Sequence, residues 1–120
     1  MFYTPNPIVE KALREADGEC SLATALLEGV DMKWRGDPAR EKDYFRLQSL
    51  LKSVRSLYGW DGATEFVPRA RISELESVIA TIEAWREPIL DQIGVPLKRA
   101  LSILTECAKK VGVSDTGLAF

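Results

Sequence analysis

Any chemistry in this chain has to be done without histidine, which is absent from all 120 residues. That removes the side chain that most readily exchanges protons near neutral pH, and the commonest metal ligand. Ser-His-Asp and Cys-His nucleophiles are excluded with it, as are the Glu-x-x-His sites of di-iron bundles. The two cysteines, Cys20 and Cys107, lie far apart in no metal-like spacing, at positions that read as apolar and helical. They are expected to be buried free thiols in a reducing compartment. A disulfide between them is allowed but not implied. No catalytic residue, cofactor or metal site is expected.

What the chain does offer is positive charge beside aromatic rings. Residues 1–32 carry a net charge of −4, residues 33–71 a net +4 and residues 72–120 a net −2. Projected at 100° per residue, the outer face of the second predicted helix holds Lys42, Phe45, Arg46, Ser49, Lys52, Ser53 and Ser56, with no carboxylate. A solvated helix face would need no Phe45, so the pattern points to a contact surface for an acidic partner or for phosphates. Trp60, Phe66, Arg69 and Arg71 follow in one irregular stretch, a composition shared by binding hot spots and single-strand nucleic-acid platforms. These eight residues other than the serines are the candidate partner-binding set. Glu76, Glu83, Glu87 and Asp91 read as an acidic ridge. Set against the basic face, the ridge points to pairing between copies of the chain, a homo-oligomer. Arg35-Gly36-Asp37 spells an adhesion tripeptide, but Asp37 is better used as a helix cap.

Four amphipathic helices must position these residues. Asn6 as N-cap and Pro7 at the first helical position open a stripe of Val9, Leu13, Ala16, Cys20, Ala23, Leu27 and Val30 over about 7–32. The stripe keeps phase across Asp17-Gly18, which favours one long helix, with a break there, and five helices in all, as the alternative. Asp37 and Pro38 open a second helix over about 38–58. Ser73 and Glu76 make a capping-box pattern at the start of a third, over about 73–93 and kinked at Pro88. Gly94-Val95-Pro96 separates a fourth, over about 96–111, from it. Trp85 is expected in the core and Arg86 near the core side. Leu13, Leu27, Leu47, Leu51, Val54, Ile79, Ile82, Ile89, Leu101 and Leu104 are expected to be largely buried. The tail, 113–120, reads as loose.

The sequence therefore predicts a single all-α domain, an antiparallel four-helix bundle. No apolar run approaches the roughly 20 residues of a membrane span. The N-terminal residues lack the basic and apolar regions of a signal peptide, so the cytoplasm is the expected location and no membrane is involved. The function expected is non-enzymatic: binding another protein, acidic at the contact, in the manner of small bacterial or phage adaptors, inhibitors or chaperones. The alternative is a small subunit of a nucleoprotein complex, or a nucleic-acid-binding regulator, using the basic segment 33–71.

Overall fold

The computed structural model describes residues 6–58 and 65–114. The fold is all-α and bundle-like, with four α-helices among the described residues. Helix α1, Pro7–Trp34, is unbroken across Gly18. Its N-cap forms as the sequence implies: the Asn6 side chain accepts from the Ile8 N–H at 2.9 Å, and Pro7 occupies the first position, where its missing amide costs nothing. Its buried stripe runs Val9, Ala12, Ala16, Cys20, Ala23, Leu27, Val30 and Trp34. Gly36, at φ 78°, turns the chain back in a conformation that suits glycine.

Asp37 caps the next element, accepting from the Ala39 N–H at 2.9 Å. The first turn, Pro38–Arg40, is a 3-10 helix, and α2 proper is Glu41–Arg55. Leu47, Leu50, Leu51 and Val54 are its buried face.

The third and fourth helices depart from expectation. Helix α3 is Arg69–Trp85 and α4 is Pro88–Val111. Ser73 and Glu76 therefore lie inside α3, exposed, and not at its start. The break falls at Pro88, and Pro96 sits within α4. The α3 stripe of Leu75, Val78, Ile79 and Ile82 reaches Trp85, packed against the core, and then meets the charged Arg86. By contrast Leu90, Ile93, Leu97, Ala100, Leu104 and Cys107 keep helical spacing straight through Pro96, and all are buried. Glu87 is extended, as suits a residue before proline. Arg86 terminates α3 in the left-handed region at φ 55°, exposed and not on the core side.

Helix α1 packs most extensively on α4, α2 packs on α1, and α3 packs on α4, while α2 and α3 scarcely touch. The Cys107 thiol lies 3.8 Å from the Ile8 carbonyl, so the end of α4 lies beside the start of α1. Val67 and Pro68 pair in parallel with Val113 and Ser114. The first residues of the expected loose tail are thus held, and residues 115–120 lie outside the described part. Of the expected core, Leu27, Leu47, Leu51, Val54, Ile79, Ile82 and Leu104 are buried. Leu13, Ile89 and Leu101 are only partly so, at the edges of their stripes. No helix among the described residues is long and apolar enough to cross a membrane.

Candidate interaction surface

Where α1 turns into α2, side chains from four elements interlock. Trp34 is the last residue of α1, and the 3-10 turn swings Arg40 back so that its guanidinium lies 4.4 Å from the Trp34 ring centroid. Trp85, the last residue of α3, meets Trp34 edge to face, with centroids 5.9 Å apart at 66°. Arg46 of α2 lies 4.1 Å over the Trp85 ring. The result is a continuous series: Arg40, Trp34, Trp85, Arg46. In each cation–ring contact the electron-rich face of the indole attracts the guanidinium charge.

Carboxylates fix the arginines. Arg40 donates to both oxygens of Glu87, at 3.1 and 3.2 Å, and to Asp43 at 3.1 Å. Glu87 first and Asp43 second hold that guanidinium above its ordinary range. Beneath the corner, Asp31 is 6% exposed and accepts from Arg35 at 2.6 Å and from the Gln48 amide. Asp31, then Tyr44, likewise hold Arg35 above its ordinary range. Beside Trp34 lies an open cleft whose wall includes Tyr44 and Phe45. Phe45 is 71% exposed, between half-buried Tyr44 and Arg46, which is stacked on Trp85.

The structure sorts the eight residues read from the sequence. Lys42, Phe45, Arg46 and Lys52 are all exposed on α2, with Arg46 committed to Trp85. Phe66 is 44% exposed. Its ring covers Gly112, 3.5 Å from where a Cβ would stand. Arg69 is exposed at the start of α3. Arg71 is fully buried, its guanidinium paired with Asp17, so it supports the fold and offers no surface. Trp60 lies outside the described residues. The two groups do not share a site. Glu65, next to Phe66, meets Asn6 at the start of α1, whereas Phe45 stands near Trp34 at its end. A helix of 28 residues separates them, about 40 Å.

The acidic ridge is also divided. Glu83 pairs with Lys98 at 2.8 Å and Glu87 with Arg40, while Glu76 and Asp91 remain exposed on different helices. Among the described residues no cluster of three or more Cys, Asp or Glu is placed to hold a metal ion. Cys20 and Cys107 are buried and free.

Sequence reasoning missed Trp34, Arg40 and Tyr44 as parts of a site, and read Glu87 only as part of the acidic ridge. Trp34 had a signal: it continues the α1 stripe seven residues after Leu27. Arg40 had none, because its principal partner is 47 positions away. Against family models, curated proteins and solved structures alike, the chain shows no match.

Proposed function

We propose that this protein is a non-enzymatic binding module, an antiparallel four-helix bundle that engages another protein through the α1–α2 corner. The observation that carries this reading is Phe45, a large ring 71% exposed in the wall of a cleft it shares with Trp34 and Tyr44. Aromatic anchors presented from pre-ordered surroundings lose little entropy on binding and dominate interface energetics. Lys42 and Lys52, on the same outer face, give the flanks a polarity suited to carboxylates on the partner.

A photo-crosslinking residue at position 45, with one at the remote exposed position Arg14 as control, tests the surface in the native cells. The expected result is a discrete protein adduct from position 45 that is absent from position 14. Phe45→Ala should then weaken binding of that partner by about tenfold or more. An adduct that disappears on nuclease treatment, with affinity falling steeply as salt rises, would instead support the nucleic-acid reading through counterion release.

A further inference from the structure

The cleft at the α1–α2 corner has a volume of about 410 Å³, within the roughly 300–1,000 Å³ of small-ligand sites. Three rings, Trp34, Tyr44 and Phe45, line it together with Pro38. Its charged lining consists of two carboxylates, Asp37 and Glu41, and no lysine or arginine lines it. Asp37 uses one oxygen to cap the Ala39 N–H, which offsets the positive helix end there. Glu41 is exposed and engaged in no ion pair among the described residues.

This lining selects by charge. The faces of aromatic rings attract cations, and carboxylates add a full charge to that attraction. An anion would meet two like charges, because the guanidiniums held on the lining rings, Arg40 on Trp34 and Arg35 at Tyr44, are already paired with Glu87, Asp43 and Asp31. A neutral apolar ligand would strip water from the carboxylates without replacing it. The corner already displays the chemistry internally, since both of its indoles hold a guanidinium.

We propose that the cleft binds an alkylammonium group, carried into it on a lysine side chain of the partner. The proposal deepens the reading of the corner as a protein-contact surface. It also gives the site a mixed polarity, with a cation received in the cleft and lysines on the outer face beside it.

Aromatic and amide NMR signals, titrated with choline and with its neutral isostere 3,3-dimethylbutan-1-ol, test the cleft directly. Choline should shift the Tyr44 and Phe45 ring signals with about millimolar affinity, and the alcohol should not. Phe45→Ala and Glu41→Gln should each weaken choline binding by about fivefold to tenfold. Glu41→Gln is an exposed, near-isosteric change that leaves the fold intact. N-acetyl-lysine amide as a third probe identifies the source: tighter binding than choline supports a lysine side chain, and weaker binding than choline overturns that assignment. Equal responses to choline and the alcohol, or no response at about 50 mM choline, would overturn the site itself. A protein adduct at position 45 together with a cleft silent to choline would overturn this inference while leaving the contact surface standing.

Discussion

Arg71 is a charged side chain with no exposed surface, paired across the core with Asp17 of α1. The pair ties the first turn of α3 to the middle of α1, and losing one partner of such a pair leaves a charge stranded in low dielectric. Cys20 shares this interior. Burial pushes its thiol up from the ordinary 9.0 to about 11; Arg71 opposes the shift, and Asp17 and Glu19 add to it. The consequence for stability has a definite sign. Below pH 9 the thiol is protonated whether the chain is folded or not. As pH rises, the unfolded thiol loses its proton first, so stability falls between about pH 9 and pH 11. The expected loss from this group is on the order of 2 kcal/mol. Urea unfolding across that window, compared between the wild type and Cys20→Ala, isolates it from the lysines and tyrosines. The difference between the two should narrow as pH rises, and a constant difference would contradict the assignment. Arg71 also marks a limit on reading by residue type. A charge beside aromatics in an irregular stretch reads as surface, and nothing local announces that Asp17, 54 positions away, will take it inside.

At the scale of elements, the caps were the most legible features. Asn6-Pro7 and Asp37-Pro38 each combine a side-chain acceptor with a residue that lacks an amide, and both begin helical turns as expected. Ser73 and Glu76 carry an equally good pattern, yet α3 starts a turn earlier, because Arg71 belongs to the buried face and no apolar stripe would include it. The boundary between α3 and α4 was ambiguous for a different reason. Pro88 and Pro96 are both local breakers, and only the phase of the apolar residues on either side decides between them. Helix α1 shows the converse, a breaker that does not break. Gly18 is exposed, and a Cβ built on it meets nothing within 4 Å. Gly18→Ala should therefore stabilise the protein by about 0.5–1 kcal/mol, read as a higher denaturation midpoint. A lower midpoint would mean that α1 needs to bend there.

The whole molecule is long for its size, 57 × 23 × 20 Å, with a radius of gyration of 15.7 Å. A compact chain of this length would have about 13–14 Å. The reason lies in how the helices are joined. The pair α1 and α4 forms the spine, α2 lies on α1 and α3 on α4, and between α2 and α3 runs a cleft of about 280 Å³. The stack of Arg46 on Trp85 bridges that cleft at one end. Trp85→Ala should therefore loosen α2 and its preceding turn while sparing the spine. Hydrogen exchange should show amides of 38–55 losing protection, with the middle of α1 and α4 retaining it. A uniform loss of protection would show that the bundle opens only as one unit. This arrangement was the least legible part of the chain. Stripe positions specify which face of a helix is buried, but which helix covers it depends on the fit of side chains far apart in sequence.

That the largest interface joins α1 to α4 also bears on how the protein is made. Helix α1 is complete by Trp34, yet the helix that covers most of its apolar stripe begins only at Pro88. During synthesis the stripe from Val9 to Val30 waits, part-covered by α2 at best, until α4 leaves the ribosome. A long loop must then close before the main contact forms, which slows folding relative to a bundle whose neighbours in sequence pair in space. The interval exposes one long greasy helix to whatever else is nearby, so the nascent chain is the form of this protein most in need of a chaperone.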